Sequence, residues 1–388
     1  GKLWLFSGIG YDSAGATGLL NDLWKFSLPS QILYVQPTPA GAKDCTTWAN
    51  ACSLAAALNY ASNGDQIWVA AGTHTPHASD RSATFQLKNG VAIYGGFNGT
   101  ETQLNQRSPL ANLTILSGDL SGNDGPNFVN NGENSYHVVT GSYTNNTASM
   151  DGFTITGGNA NGDSWPNYNG GGMINYQGSP TLTNLTFLNN YAVNGGGGMI
   201  NDSNTDIVLS QLTFSGNSAG TGAGGGGMIN WAVTNLTLTN STFSGNITTG
   251  NGGGLYHMSG TQNLINVTFS ANSAAVNGDN LMVAGGTTNM KNTILANGVH
   301  GKDCTGIIAT AANNLIKAVG LDACSLVHNV NGNIIGQDPQ LGPLAQNGGV
   351  TQTMLLSLGN PAINAGTNSG CPTTDQRGLP RDAQCDIG

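Results

Sequence analysis

The chain has 388 residues, 59 of them Gly, and only 8% are charged, with a net charge of −9. The charged share is about a third of the ~25% usual in globular domains, and no Lys or Arg occurs between Arg107 and Lys291. This balance excludes nucleic acid and anionic membranes as partners, and no apolar run approaches the ~20 residues of a membrane span.

In chain order, residues 1–28 come first. Leu3-Trp4-Leu5-Phe6-Ser7-Gly8 and Asn21-Asp22-Leu23-Trp24-Lys25-Phe26-Ser27 read as two apolar strands around a Gly-rich loop. They resemble the second and third strands of a kelch repeat. Half a blade cannot build a propeller, so either a propeller lies upstream of Gly1 or Leu3, Trp4, Leu5, Phe6, Leu23, Trp24 and Phe26 are candidates for adding to the sheet of another molecule. Residues 29–64 read as a linker with Pro29, Pro37 and Pro39, then an amphipathic helix over Thr46–Ala61 closed by Asn63-Gly64. A helix placed there is suited to cover the open end of a stacked array.

Gln66–Ala70 opens the first coil, with further strands expected at 91–94, 113–116, 136–140 and 151–156. The pattern then becomes periodic. Gly-Gly-Gly precedes an apolar pair at Met173-Ile174, Met199-Ile200, Met228-Ile229 and Leu255-Tyr256. A second phrase alternates with it and ends on Phe187, Phe214, Phe243 and Phe269. Two phrases drifting together mark one structural unit that buries its apolar face by stacking. Each unit holds short alternating runs between Gly, Asn and Ser clusters, a strand pattern without any helical stripe. The units are too short for propeller blades, which run to about 40–50 residues. The fold class is therefore all-β, a right-handed parallel β-helix with regular coils over 65–299. The phenylalanines should stack about 4.8 Å apart, beside a second ladder of Met173, Met199, Met228 and Leu255, with asparagine amides bonding from coil to coil.

Residues 300–388 lose the period and read as irregular coils and a C-terminal cap. The six Cys fall into near-neighbour pairs, Cys45/Cys52, Cys304/Cys324 and Cys371/Cys385. Even count, local spacing and surroundings that read as polar loops favour disulfides and an oxidising compartment; zinc is the alternative, without any C-x-x-C pair to favour it. Sequons stand at Asn98, Asn112, Asn145, Asn184, Asn201, Asn235, Asn240, Asn246 and Asn266. They read first as turn and ladder chemistry and second as glycan acceptors.

Several phrases carry a resemblance: Leu33-Tyr34-Val35, Gly64-Asp65-Gln66-Ile67-Trp68-Val69-Ala70-Ala71-Gly72-Thr73, Tyr94-Gly95-Gly96-Phe97, Asp151-Gly152-Phe153-Thr154-Ile155, Asp375-Gln376-Arg377-Gly378 and Cys385-Asp386-Ile387-Gly388. Over 33–388 the chain resembles bacterial extracellular β-helix proteins with a choice-of-anchor domain, in the broad pectate-lyase-like superfamily. The resemblance implies a fold, export and a bacterial cell-surface setting, and it does not specify an activity. A start at Gly1 and a closing phrase that continues further in such proteins suggest a chain trimmed at both ends.

For chemistry, the regular coils offer no Arg or Lys base, and Asp119, Asp124, Glu133, Asp151, Asp163, Asp202, Asp206 and Asp279 read as scattered. Glycosidases need paired carboxylates, and no such pair recurs at coil spacing. His137 and His257 read as packed histidines. Asp119, Asn123 and Asp124 in a Gly-rich turn form a candidate calcium loop; no other metal, cofactor or catalytic residue is assigned. Asp375, Arg377 and Arg381 read as an ion-pair group of the cap. The expectation is a non-catalytic extracellular structural or adhesive β-helix that self-assembles into a homopolymer through its N-terminal strands. The alternative is a polysaccharide-binding or polysaccharide-degrading protein using Trp165, Trp231 and Tyr256 as stacking platforms.

Overall fold

The computed structural model describes residues 30–388, except the side chains of Asn204 and Thr205, and within 1–29 the backbone of four strands. The chain winds into a right-handed parallel β-helix whose coils contribute to three faces: a long 16-stranded sheet, an 8-stranded sheet and a 5-stranded sheet. One coil runs Met173–Tyr176, Thr181–Leu188, Tyr191–Ala192, and the next begins at Met199–Asp202. Successive coils pair in parallel. Met173 lies beside Met199, Met199 beside Met228, Met228 beside Leu255 and Leu255 beside Leu281, all fully buried.

The phenylalanines stack as their spacing predicts. Ring centroids of Phe187, Phe214, Phe243 and Phe269 are 4.7, 4.5 and 4.7 Å apart, and neighbouring rings are tilted by 3°, 7° and 17°. Strand separation sets this spacing, so period and packing are one fact. The Gly runs have two separate reasons. The first Gly of each run takes φ near +65° (Gly170, Gly196, Gly252), a left-handed turn. The second permits contact between coils: a Cβ on Gly197 would come within 2.3 Å of Ser218 O and 2.6 Å of Gly226 O.

A file of buried asparagines carries polarity through the interior, each amide bonded to the next. Asn190 donates to Asn217, Asn217 to Asn246 and Asn246 to Asn272 at 2.9–3.0 Å. Asn272 donates to Asn280 and Asn280 to Asp303, both at 2.8 Å. Every amide points its N–H the same way, so the last acceptor is a carboxylate, which gains charge-assisted bonds from this chain. A second file, on the outer face, runs oppositely: Asn289 to Asn263 to Asn235 to Asp206.

The ends differ from expectation. Stacking starts before the predicted first coil, because Ile32–Val35 already pairs with Gln66–Ala70. The helix is shorter: Trp48–Asn50 is a 3-10 turn, and the α-helix spans Leu54–Tyr60. Cys52 interrupts it by bonding to Cys45 and bridging Val35, and the Ser53 hydroxyl then caps the helix by accepting from Ala56 N. Leu54, Ala57 and Leu58 pack into the main core over the first coils.

All six cysteines are paired, as Cys45–Cys52, Cys304–Cys324 and Cys371–Cys385, which leaves no thiolate for the zinc alternative. The polar-loop setting expected for them is corrected at Cys304 and Cys324. Cys324 is buried rather than looped out, and both Cys304 and Cys324 belong to the main hydrophobic core. The reason is that Cys304 sits in a strand of the 8-stranded sheet, beside Leu281, and the chain stacks one further layer on it. The Cys324 amide donates to Cys304 O at 3.0 Å from a left-handed turn at φ 51°, and Ala323 bridges Cys304 in parallel. The disulfide therefore joins two layers of the solenoid through its interior.

Parallel pairing continues past 299 through Cys304–Thr305, Leu315–Ile316 and Ile334–Ile335. Residues 339–388 then turn back along the flank of earlier coils, where a cap over the open end was expected. Gln376 bonds Leu212 O, Thr213 and Thr242; Asn240 reaches Thr374 O; Asn266 reaches Asp386 O; and Gly388 N reaches Asn292 O. Asn240, Asn266 and Asn292 hold left-handed turns at φ 48–52°, which aims their amides at this returning segment. Arg377 pairs with Asp375 at 2.6 Å, whereas Arg381 donates to Asn240 Oδ1 and Gly388 O.

At the N-terminus, Lys2–Leu5 pairs antiparallel with Trp24–Ser27, and Gly8–Tyr11 with Thr17–Leu20. Leu3 therefore faces Phe26 and Leu5 faces Trp24 across one ribbon. Phe6 and Leu23 lie outside the described residues, as do the side chains of Leu3, Trp4, Leu5, Trp24 and Phe26.

Candidate functional site

Two places depart from the repeating pattern. The first is the loop 118–135, which joins Thr114–Ser117 to Val139–Thr140. A backbone bond from Gly118 N to Thr156 O pins its start to the coil, and one from Ser135 N to Gly118 O closes its two ends on each other (2.8 Å each). Gly157 makes room for it: a Cβ there would lie 3.0 Å from Asp119 N and 3.4 Å from an Asp124 carboxylate oxygen. Asp119 accepts from the amides of Gly122, Asn123 and Asp124 at 2.6, 3.2 and 3.1 Å, which folds the turn around its carboxylate.

Asp119, Asp124 and Glu133 converge there, each offering an oxygen within 4.8 Å of the others. This corrects the reading of these acids as scattered. Glu133 joins them through the turn Asn131–Glu133, and Asn123 gives its backbone N–H to Asp119 and its backbone carbonyl to Asn130. Partial burial pushes the Asp124 carboxyl above its ordinary value, with the charges of Asp119 and Glu133 adding to the rise and the 2.7 Å bond from Asn134 opposing it.

The second place is an aromatic strip on the rim of the 8-stranded sheet. Tyr176, Asp202 and Trp231 follow the buried asparagines Asn175, Asn201 and Asn230 in successive coils, so they stand above one another. Tyr143, from the preceding coil, meets the Tyr176 ring at 5.6 Å, and Trp165 meets it from the side at 5.5 Å and reaches Tyr168 at 6.3 Å. Tyr143, Trp165 and Trp231 are 69%, 39% and 38% exposed. Tyr256, expected beside them, is buried in a small cluster with Ile174, Ile200 and Ile229. Asp202 is the acid on the strip, and partial burial raises its pKa.

Two histidines outside these places are packed, and two acids have further neighbours. His137 is bonded through Nδ1 to Gly170 O at 2.9 Å and His257 through Nε2 to Gly260 O at 3.3 Å. Burial pushes the pKa of both down to about 4. Asp279, also read as isolated, accepts from His300 Nδ1 at 2.9 Å and from the amides of Ala274, His300 and Lys302. Asp303 accepts from Gly298 N, Ala318 N and Asn280, and burial raises it to about 6. Asp151 pairs with Arg107 at 2.9 Å, and Asp206 receives Asn235. Asp163 is exposed.

The sequons divide by burial. Asn201, Asn240, Asn246 and Asn266 are buried with bonded amides. Asn112 and Asn184 are half-buried, with amides on Gly96 O and Asp151. Asn98, Asn145 and Asn235 are exposed.

Sequence reasoning missed Glu133, whose separation from Asp124 follows no calcium-loop spacing, and Tyr143 and Tyr176, which no pattern ties to Trp165. The one available signal was the density of aromatics over 136–176.

No family model matches this sequence, and no curated protein matches it. Among solved structures, the chain is similar to the crystal structure of pectate lyase Pel9A, at 15% identity and a TM-score of 0.45, over 93% of this chain and 96% of that one.

Proposed function

We propose that this chain is a non-catalytic extracellular β-helix that serves at a cell surface as a structural and adhesive protein, with the strip of Tyr143, Tyr176, Trp165 and Trp231 as its adhesive face. The carrying observation is that exposed rings stand in file along the solenoid on a stretch free of Lys and Arg. Exposed aromatic faces stack on the apolar faces of sugar rings, and large exposed patches of this kind mark interaction sites. A surface without cations suits a neutral glycan over a uronate polymer. Three disulfides are compatible with an extracellular setting, and among the described residues no helix is long and apolar enough to cross a membrane.

Binding of the full chain to insoluble neutral and acidic glycans tests the proposal. Retention on a neutral polymer that is lost in the double variant Trp165→Ala/Trp231→Ala is expected. Equal retention by wild type and variant would remove the strip from the account. Release of new reducing ends would replace adhesion with hydrolysis, with Asp202 as the acid to examine first. Self-assembly through the ribbon of Lys2–Leu5 and Trp24–Ser27 belongs to the same proposal: each strand pairs with the other, which leaves an outer edge on each to receive a further strand. Unchanged polymers after deletion of residues 1–28, seen by negative-stain imaging, would remove that part.

A further inference from the structure

We infer that the loop 118–135 is a calcium site, with Asp119, Asp124 and Glu133 as its carboxylate ligands. The three acids alone would not carry this, since the turn around Asp119 is already explained by its own amides. The second observation is an unpaired oxygen. Glu133 Oε1 is shut off from solvent and has no hydrogen-bond partner. Asn134, 1% exposed, donates through Nδ2 to Asp124 and to Gly157 O, both at 2.7 Å, which fixes the Asp124 carboxylate in the cluster. A buried oxygen left without a partner costs about 1–3 kcal/mol, and a cation held by the three carboxylates satisfies Glu133 Oε1.

Charge argues the same way. None of the ion pairs among the described residues involves Asp119, Asp124 or Glu133. The nearby guanidinium of Arg81 is committed to Asn134 O, Asn159 O, Asn161 Oδ1 and the face of Tyr136. Three carboxylates thus converge without a counter-charge. Their mutual spacing of at most 4.8 Å fits oxygens around one ion at the ~2.3–2.6 Å of calcium coordination. An all-oxygen set on an adaptable loop suits calcium over magnesium, which demands a near-ideal octahedron at shorter distances. The ion would clamp a long loop onto the Gly157 turn of the next coil. This inference does not depend on the glycan proposal.

Titration of calcium chloride into the full chain, stripped with chelator and followed by calorimetry and thermal melting, tests it. One ion per chain is expected, in the ~0.1–1 mM range of extracellular modules, with a melting temperature that rises with calcium. Glu133→Gln should weaken binding about tenfold or more, and because Glu133 Oε1 has no partner to lose, the calcium-free variant should melt as wild type does or higher. Asp163→Asn, in a neighbouring loop, should change nothing. Absence of calcium heat and of any melting shift in wild type at millimolar calcium would overturn the inference, as would undiminished affinity in Glu133→Gln.

Discussion

The coils of 169–298 and the stretch of 118–168 belong to one solenoid but keep their polar atoms differently. In the coils, an asparagine finds its partner in the same residue one turn on, and the chain of amides from Asn190 ends on a carboxylate made to receive it. In the earlier stretch the repeat fails. Glu133 Oε1, Asn134 Oδ1, Ser135 Oγ and Asn159 Oδ1 lie there buried and unpaired, while the coils add Asn251 Oδ1 and His257 Nδ1. Exposed rings gather at the same end, at Tyr143 and Trp165. Where the repeat holds, most buried polar atoms find a partner one coil on; where it is interrupted, more of them are left unpaired.

The contrast breaks most visibly if the ladder proves dispensable. Phe214→Ala removes a ring stacked on both sides and should cost roughly 3–5 kcal/mol, read as a large fall in melting temperature, whereas Trp165→Ala on the strip should stay within roughly 1 kcal/mol. Equal effects would mean the two regions do not differ as described.

Acid sharpens it next. His137 and His257 are neutral in the fold with pKa about 4 against an ordinary 6.5, so their contribution is complete above pH 6.5 and is lost as pH falls toward 4. Asp303, raised from 3.8 to about 6, acts oppositely, costing stability as pH rises through that window. Each amounts to roughly 3 kcal/mol, so two histidines against one acid leave a net loss on acidification. Thermal melting across pH 4–7 should show it, Asp303→Asn should steepen it, and His137→Gln should flatten it.

Of similar size is the effect at the returning C-terminal segment. Cys371→Ser opens the bridge to Cys385, and a loop of this size contributes about 3 kcal/mol in the chain-entropy picture. Limited proteolysis should then cut within 339–388 and spare the coils; cleavage inside 181–296 would contradict a segment laid on the flank.

What the sequence made legible follows the same division. Phe187 to Phe269 and Met173 to Leu255 could be aligned from their recurrence, because strand stacking converts period directly into contact. The helix boundary was misplaced because Cys52 serves a disulfide and a bridge to Val35, neither of which leaves a helical pattern. Cys324 could be paired with Cys304 by proximity, but its place in the core could not be read, because the layer that carries it has no repeat phrase. The C-terminal return was illegible for a similar reason: it depends on single contacts such as Gln376 with Thr213 and Thr242, far apart in sequence and without period. Asp119 and Asp124 stood out as a Gly-rich turn, whereas Glu133 needed the fold to bring it in.

Hydrogen exchange resolved along the chain, with and without millimolar calcium, addresses the division most directly. Amides of 181–296 should be protected and indifferent to calcium, while those of 118–135 should exchange quickly without the ion and slow markedly with it. Uniform protection across both stretches, or a calcium response spread through the coils, would contradict it.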